Sequence, residues 1–299
     1  MQLSAMGPRI ARRVPEGLVL EPPTRFTVAP LSPTIGAEVH GVDLADVDDE
    51  LHAELRCALL EWKVLFFRDQ DISRVQHRAF AERWGELEQH PFYKFVHPGQ
   101  TDADVVTLAK DASAAGVENE WHADITWHAR PSFGAVLRAV ELPELGGDTL
   151  WVDAGAAYDG LPEEVKERID HLTAVHDWRR SFGLVMPADA VAELAVQFPP
   201  AEHPVVRIHP ETGRRTLFVN RIFTDHIVGL DEDESDGLLG VLYRQYDRPE
   251  YQCRFRWTPH AVAFWDNRAT LHYAASDYHP ARRVMDRISI AGDRPFGPS

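Results

Sequence analysis

Three stretches near the C-terminal end decide the fold class: CRFRW at residues 253–257, AVAFW at 261–265 and RVMDRISI at 283–290. In the first and third, alternate residues fall on opposite faces of an extended chain, as they do in a strand with one buried face. The second is a short apolar run, which fits a strand buried on both sides. These stretches predict that the C-terminal part of the chain is rich in β-structure.

Weaker signals extend this pattern towards the N-terminus. Residues 205–208 and 216–219 flank the turn sequence PETG at 210–213 and predict a hairpin, and KVLFF at 63–67 predicts a buried strand. The predicted helices cover residues 48–60, run from Ser73 towards Trp84, begin near Pro162, and follow the acidic run at 231–236.

The order of these signals favours one architecture. The regular alternation of strands and helices that a doubly wound sheet requires is missing from the sequence, as are the glycine-rich nucleotide-binding motifs. We therefore predict a mainly β fold with helices, in which a β-sandwich or jelly-roll core carries helical decoration. Residues 1–25 are predicted to form a flexible N-terminal leader, and residues 26–299 a single domain.

Composition excludes several kinds of partner. The 299 residues carry 31 Lys and Arg against 47 Asp and Glu, a formal net charge of −16. Nucleic acid and anionic membrane surfaces both require a basic footprint, so we expect neither as a partner, although a small anionic substrate senses only its local pocket. The sequence lacks an apolar run of the ~18 residues that suggest a transmembrane helix. Its two cysteines fit a reducing compartment, and we expect a cytoplasmic protein.

The stretch WHAD at 121–124 carries the first chemical signal. In an extended chain, His122 and Asp124 point to the same side and can reach one metal ion. The strongest candidate for a third ligand is His272. Two histidines and one carboxylate on one face of an octahedron leave three positions open, which suits non-haem Fe(II). A His-x-Asp pair alone recurs by chance, so this prediction depends on the surrounding pattern.

Two arginines strengthen the pattern, because Arg283 and Arg287 follow His272 and share one strand face. An arginine that points into a fold needs an anion, and a bound dicarboxylate would supply one. The alternative is that the arginines pair with acidic side chains of this chain, the candidates being Asp266, Asp277 and Asp286.

Further motifs complete a resemblance that covers nearly the whole chain from about residue 27. They are GGDTLW at 146–151, WDNR at 265–268, HYA at 272–274, HPFY at 90–93, RSF at 180–182, HPVVR at 203–207 and LFVN at 217–220. With WHAD and the two arginines, they occur in the order expected for one family. The chain resembles the taurine dioxygenase family of Fe(II)- and 2-oxoglutarate-dependent oxygenases.

The resemblance implies a fold, a reaction and a set of ligands. It implies a double-stranded β-helix in which His122, Asp124 and His272 bind Fe(II). It further implies that Thr149 and Arg283 bind the distal carboxylate of 2-oxoglutarate, and that O₂ is the second cosubstrate. A planar guanidinium and a hydroxyl donor both suit a carboxylate. Dimers or tetramers of identical chains are also implied.

The organic substrate is predicted less sharply. By resemblance, His90 and Arg287 hold the substrate's sulfonate, with Tyr93 as an aromatic neighbour. A protonated histidine and an arginine in one pocket favour a small anionic head group. The remaining residues that the resemblance places in this pocket are Ser181, Phe182 and Phe223.

The sequence also departs from the family pattern around the substrate. Where the taurine enzymes place an asparagine that contacts the amine, this chain has Glu118, with Asn119 one residue later. Ile125 replaces a slightly smaller apolar residue. We therefore predict hydroxylation of a small substrate, a sulfonate such as taurine being the first choice, with release of sulfite, succinate and CO₂. An alkyl sulfate or an amino acid of specialised metabolism is the alternative.

Other chemical classes fit the pattern less well. A halogenase is disfavoured because Asp124 occupies the position that such enzymes leave vacant for halide. A zinc-dependent hydrolase on the same three ligands would need a general base beside the metal and would not need Arg283. A non-catalytic binding protein would have no reason to keep both the ligand set and the arginine.

Overall fold

The computed structural model describes residues 11–93, 99, 102–116 and 118–298. Its strands, in chain order, are β1 Thr27–Pro30, β2 Ala37–His40, β3 Val64–Phe67, β4 Leu87–Glu88, β5 Val106–Lys110, β6 Gly134–Glu141, β7 Thr149–Asp153, β8 Thr173–His176, β9 Ala201–Pro204, β10 Val206–Ile208, β11 Arg215–Leu217, β12 Thr224–Ile227, β13 Gln252–Phe255, β14 Val262–Asp266, β15 Thr270–Ala274 and β16 Arg283–Ile290. The helices are α1 Asp49–Trp62, α2 Arg74–Glu82, α3 Ala154–Asp159, α4 Glu163–Ile169, α5 Ala188–Gln197 and α6 Glu232–Tyr246.

Eight strands form the larger sheet, in the order β1-β2-β3-β14-β6-β16-β4, with β5 also paired to β16. The centre of this sheet consists of β14, β6 and β16, the strands predicted from the C-terminal sequence together with β6. Val262 pairs with Phe67 on one side and with Arg138 on the other. Strands that are distant in sequence thus lie side by side, and β16 brings Arg283 and Arg287 into the middle of the fold.

A second layer covers the inner face of this sheet. Strand β7 pairs with β13 and β15 in this layer, while β12-β8-β9 and the hairpin β10-β11 form two further small sheets. Large side chains from both layers share one buried cluster, in which Phe66 stacks on Phe255 with ring centres 4.2 Å apart. Two packed, mostly antiparallel layers with helices outside are a jelly-roll core with helical decoration, so the predicted fold class is confirmed.

Helices α1 and α2 cover the outer face of the larger sheet, where Leu55 and Phe80 pack against Phe264. Each helix begins directly after a residue whose side chain caps its N-terminus. The Asp48 carboxylate accepts from the backbone N–H of Leu51, and Ser73 forms the predicted capping box with the third residue of its helix.

The end of α1 differs from the prediction by one residue, and the start of α6 agrees with it. Lys63 was predicted inside a strand, but it adopts φ 62° and ends α1, and the strand begins one residue later. That left-handed conformation turns the chain sharply between helix and strand. Asp231 caps α6, and the acidic residues that follow fill its first turn, which fits negative charge at a helix N-terminus.

Part of the predicted leader contacts the core. The backbone carbonyl of Arg13 accepts hydrogen bonds from Lys63 and Arg214, and its guanidinium lies over the ring of Trp62. The carbonyl of Arg12 accepts a second bond from Arg214. The boundary between leader and domain stays a prediction.

Candidate metal and 2-oxoglutarate site

The structure brings the three predicted metal ligands together. His122 and His272 face each other across a short antiparallel bridge at β15, where each backbone N–H donates to the other's carbonyl at 3.0 and 2.7 Å. Their ring centres lie 4.2 Å apart. One side-chain donor atom from each of His122, Asp124 and His272 lies within 4.8 Å of the other two. That spacing fits three ligands around one ion.

Local contacts orient the two imidazoles. The Nδ1 atom of His122 lies 2.8 Å from the carbonyl of Glu120, which leaves its Nε2 atom for a metal. The Nε2 atom of His272 lies 3.7 Å from Asp124 Oδ1, so that nitrogen points into the same space.

Protonation states also suit a metal. Burial disfavours the charged form of Asp124, but the positive charge of Arg287, with smaller contributions from the two histidines and the Asn267 amide, outweighs this and holds the pKa of that carboxyl below its usual range. Burial lowers the pKa of His272 to about 3. The aspartate is therefore ionised and the imidazole neutral at pH 7, which are the forms that bind metal ions.

Arg283 lies on the same face as this cluster and is 7% exposed. Its Nε and Nη2 atoms find no hydrogen-bond partner among the described residues. Burial lowers the pKa of this guanidinium below its ordinary value. A buried guanidinium with two unused donors costs free energy unless a ligand accepts their hydrogen bonds. A carboxylate suits this role, because its two oxygens can accept from two nitrogens of the planar guanidinium.

The acidic alternatives for Arg283 are already engaged elsewhere. Asp266 binds Arg268, and Asp286 binds Arg74. The carboxylate of Asp277 accepts from the backbone N–H of Gly147 at 2.8 Å. The structure therefore favours an external anion for Arg283.

Two neighbours shape the space around Arg283. Thr149 is buried, and its hydroxyl oxygen accepts from the indole N–H of Trp257 at 3.0 Å, which leaves its own hydrogen free to donate. Gly147 has φ +72°, and a Cβ there would lie 2.9 Å from Arg283 Cδ. The GGDTLW motif thus gives Arg283 room and places Thr149 on β7, in the layer that faces β16.

Arg287 contacts the metal cluster directly, since its Nη1 atom donates to Asp124 Oδ1 at 3.0 Å. The second guanidinium nitrogen, Nη2, reaches Ser289 Oγ at 3.3 Å. The two arginines of β16 therefore differ in surroundings, although they share a face.

A row of rings leads from the metal cluster to His90. Phe223 lies 6.5 Å from His122, Phe182 lies 6.1 Å from Phe223, and His90 lies 5.4 Å from Phe182, all between ring centres. Ile125 packs in the same buried cluster as Phe223 and adopts φ 41°. Of the four predicted substrate residues, Phe223 lies beside His122 and Ile125 directly follows Asp124, whereas Phe182 and His90 lie progressively farther along the row.

The other predicted substrate residues lie in different surroundings. Tyr93 donates its hydroxyl to the carbonyl of Asp102 at 2.7 Å. The Ser181 hydroxyl oxygen is buried and has no hydrogen-bond partner among the described residues. Ser181 directly precedes Phe182, so this hydroxyl lies at the edge of the row of rings.

Glu118 and Asn119 lie apart from that row. The carboxylate of Glu118 lies 2.9 Å from Lys110 Nζ, and its negative charge acts on Arg283. Asn119 is exposed in a surface groove that it shares with Trp121 and Tyr273. The prediction that one of the two faces the substrate stays open.

Two residues near the cluster were missed by the sequence analysis. The Asn267 amide donates to Asp124 Oδ2 at 3.1 Å. Glu88 accepts a hydrogen bond from Ser132, and burial raises its pKa to about 7, with Asp124 adding to the rise. Asn267 belongs to the WDNR motif, and that motif could have indicated its role. Glu88 belongs to none of the motifs identified in the sequence.

Comparison with known proteins agrees with this site. Residues 27–289 match the family described as taurine catabolism dioxygenase TauD, TfdA family. An alpha-ketoglutarate-dependent sulfate ester dioxygenase of Pseudomonas putida is 36% identical over 279 residues, 90% of this chain and 91% of that protein. An (S)-phenoxypropionate/alpha-ketoglutarate-dioxygenase of Sphingobium herbicidovorans is 35% identical over 281 residues, 90% of this chain and 96% of that protein.

Solved structures give the same result. The crystal structure of a taurine dioxygenase from Burkholderia xenovorans aligns with a TM-score of 0.78 and 37% identity, covering 92% of this chain and 94% of that one. Fold and relatives together define a 2-oxoglutarate-dependent dioxygenase, for which 2-oxoglutarate and O₂ are the cosubstrates. The chain belongs to the TauD/TfdA family, as its motifs predicted. Among the described residues, no helix combines the length and the apolar character needed to cross a membrane.

Proposed function

We propose that this enzyme uses Fe(II), held by His122, Asp124 and His272, to hydroxylate a small organic anion that carries sulfur. The observation that carries the proposal is the convergence of two imidazoles and one carboxylate within 4.8 Å. Such a set occupies three positions of an octahedral ion and leaves the others for cosubstrates. When bound, the ion supplies the activation of O₂ that couples decarboxylation of 2-oxoglutarate to hydroxylation of the substrate.

Arg283 and Thr149 would bind the distal carboxylate of 2-oxoglutarate. The two unused guanidinium nitrogens of Arg283 and the free hydroxyl hydrogen of Thr149 support this assignment. Their burial would strengthen each charge-assisted hydrogen bond, because water competes little there. Binding would also remove the cost of the two unsatisfied buried donors of Arg283 in the free enzyme.

The row of rings would hold the organic substrate. Phe182 and Phe223 offer apolar walls, Arg287 offers a positive charge beside Asp124, and His90 lies at the far end of the row of rings. Tyr93, Ser181, Ile125 and one of Glu118 or Asn119 are the remaining proposed contacts. A monoanion with a short carbon chain matches this combination of charge and apolar surface.

The products follow from the chemistry of the substrate carbon. Hydroxylation of the carbon that bears a sulfonate gives an α-hydroxysulfonate, which expels sulfite and leaves a carbonyl group. A sulfonate such as taurine is the first candidate. An alkyl sulfate ester is the second, because the relative from Pseudomonas putida is named for sulfate esters. The same hydroxylation would then release sulfate and an aldehyde.

A product screen tests the proposal. The purified enzyme is incubated with Fe(II), 2-oxoglutarate and O₂ and with taurine, other alkylsulfonates, alkyl sulfates or amino acids, and succinate, sulfite and sulfate are measured. Sulfite identifies a sulfonate and sulfate identifies a sulfate ester. Substrate-dependent succinate with amino acids alone would contradict a sulfur-bearing substrate.

Two controls separate the alternatives. Asp124→Ala should abolish succinate formation, because it removes one of three ligands. A zinc-dependent hydrolase would instead release product without O₂ or 2-oxoglutarate after loading with Zn²⁺.

Three broader predictions complete the proposal. Cys57 and Cys253 are both free thiols, which supports a reducing cytoplasmic location. A homo-oligomer, dimer or tetramer, and a single domain over residues 26–299 are proposed from family resemblance. Light scattering of the purified enzyme would measure the number of chains.

A further inference from the structure

Two of the three proposed metal ligands contact one pair of residues that has no assigned role, Trp265 and Asn267. We propose that this pair positions the metal ligands, by holding Asp124 so that one chosen oxygen faces the ion and by packing against His272. The proposal rests on the proposed metal site and concerns residues that do not themselves bind the metal.

The pair lies where β14 ends and turns towards β15. Asn267 is 3% exposed, and its backbone N–H donates to the carbonyl of Phe133 at 2.8 Å, which fixes the turn. Its side-chain Nδ2 donates to Asp124 Oδ2 at 3.1 Å, and its Oδ1 accepts from Trp265 Nε1 at 2.9 Å. All three hydrogen bonds are buried or within the backbone of the core.

Trp265 removes an ambiguity in this arrangement. An amide side chain can rotate by half a turn and exchange its oxygen and nitrogen with little change in shape. An indole N–H can only donate, so the amide oxygen must face Trp265 and the NH₂ group must face Asp124. Trp265 therefore determines that Asn267 is a donor towards the carboxylate.

The consequence concerns which carboxylate oxygen faces the proposed metal position. Oδ2 of Asp124 accepts from Asn267, whereas Oδ1 accepts from Arg287 and lies 3.7 Å from His272 Nε2. With its orientation fixed by the amide, the carboxylate would present Oδ1 to the ion, and Oδ2 would stay with Asn267. A carboxylate that binds through one oxygen occupies one position, which preserves the remaining positions for 2-oxoglutarate and O₂.

The same indole also restrains the histidine. The rings of Trp265 and His272 lie 5.0 Å apart between centres, and on its other side Trp265 packs against Trp151 at 5.7 Å. One tryptophan, itself held by the core, therefore acts on two of the three ligands. Positioning contacts of this kind typically contribute 10–100-fold to metal affinity.

Metal binding without turnover tests the pair. Mn(II) binding to the metal-free full-length enzyme is followed by electron paramagnetic resonance for the wild type, Asn267→Leu and Trp265→Phe. Leucine has nearly the shape of asparagine without its donor, and phenylalanine keeps the ring packing on His272 without the indole N–H. We expect Asn267→Leu to weaken Mn(II) binding 10–100-fold. Trp265→Phe should weaken it several-fold, because the amide is then free to rotate.

Trp257→Phe is the matched control. It removes a buried indole N–H in the same way, but its partner is Thr149 rather than Asn267. Its Mn(II) affinity and spectrum should equal those of the wild type. Thermal unfolding of each metal-free variant shows whether it is folded, and if Asn267→Leu does not fold, Trp265→Phe decides the question.

The outcomes are distinguishable. If both test variants bind Mn(II) with the affinity and spectrum of Trp257→Phe, the positioning pair is overturned and the metal site stands. If the wild type itself does not bind Mn(II), the proposed ligands are wrong and the pair falls with them.

Discussion

At the scale of single residues, the two arginines of β16 show how surroundings assign different tasks to one side chain. Arg287 has a carboxylate within 3.0 Å, whereas Arg283 is buried with two nitrogens unsatisfied. Tyr278 contacts this guanidinium, but the two unsatisfied nitrogens lower the stability of the free enzyme, since burial removes water from them without supplying an acceptor. The presence of Arg283 at this position is explained if a ligand carboxylate accepts hydrogen bonds from the two unsatisfied nitrogens.

This account predicts opposite effects on binding and stability for Arg283→Met. The KM for 2-oxoglutarate should rise at least ~30-fold, because a buried charge-assisted hydrogen bond is worth about 2–5 kcal/mol. The unfolding midpoint of the ligand-free protein should stay equal or rise, because two buried donors without an acceptor are removed. Arg282→Met, which removes the exposed neighbour paired with Glu141, should change neither quantity. An unchanged KM for 2-oxoglutarate would remove Arg283 from the site.

Gly147 provides a second test of the same pocket. It has φ +72°, and an alanine methyl there would contact the Arg283 side chain, whereas Gly213 has φ +69° and open space around it. Both Gly147→Ala and Gly213→Ala should lose about 1 kcal/mol of stability from backbone strain. Only Gly147→Ala should also raise the KM for 2-oxoglutarate. Equal kinetics in the two variants would show that the close approach does not matter for binding.

At the scale of elements, the sequence indicates local structure well and pairing poorly. Ser73 and Asp48 carry helix-start signals within a few residues, and the structure places caps at both. By contrast, β14 pairs with β3 and with β6, which lie far away in sequence. Pairing of that kind depends on which buried faces meet after collapse, and a local pattern does not contain that information.

The same distinction explains what was predictable in the site. His122, Asp124 and His272 stand in motifs with a chemical meaning, so the set could be proposed and the structure brings it together. The role of Asn267 depends on an aspartate far along the chain and on the indole beside it. Glu118 pairs with Lys110, which lies eight residues earlier at the end of β5. A pattern of adjacent residues predicts neither of these pairs.

Helix α2 carries a pH-dependent contribution to stability. His77 is fully buried against the carbonyl of Val136, and burial lowers its pKa to about 4. The charged neighbours that act on it are Asp286, Arg138 and Arg74. Between pH 6.5 and 4 the unfolded chain binds a proton at this position and the folded protein does not, so the free energy of unfolding falls as the pH falls through this window.

The His77→Gln variant should show a smaller loss of stability on acidification. Glutamine does not titrate, so the variant lacks a contribution of up to about 3 kcal/mol between pH 6.5 and 4. Urea unfolding at a series of pH values measures the slope. Parallel slopes for the variant and the wild type would show that His77 does not contribute.

At the scale of the whole molecule, a buried charge cluster joins distant parts of the chain. Asp153, at the end of β7, lies 3.3 Å from Lys63 and 3.1 Å from Arg214, and it also caps α3. Burial lowers the pKa of Lys63 to about 8, although Asp153 counteracts the change. The same two cations bind the carbonyl of Arg13, so one cluster holds the N-terminal segment, α1, β7 and the β10-β11 hairpin together.

Removal of the central carboxylate should therefore be costly. Asp153→Ala leaves two buried cations without their shared partner, and we expect a loss of 3–5 kcal/mol in the free energy of unfolding. Asp159→Ala removes the more exposed carboxylate that Arg214 also contacts, and about 1 kcal/mol should be lost. Urea unfolding of both variants gives the comparison. Equal losses would mean that burial of Asp153 adds nothing.

The bridge between His122 and His272 has a consequence for protein synthesis. The two imidazoles come from positions far apart in the chain, and their backbones hold each other by reciprocal hydrogen bonds. While the ribosome is still producing the segment before residue 272, a nascent chain contains only His122 and Asp124 of the set. We expect such intermediates to bind a metal ion poorly, so that loading of the proposed site waits until His272 has been made and has paired with His122.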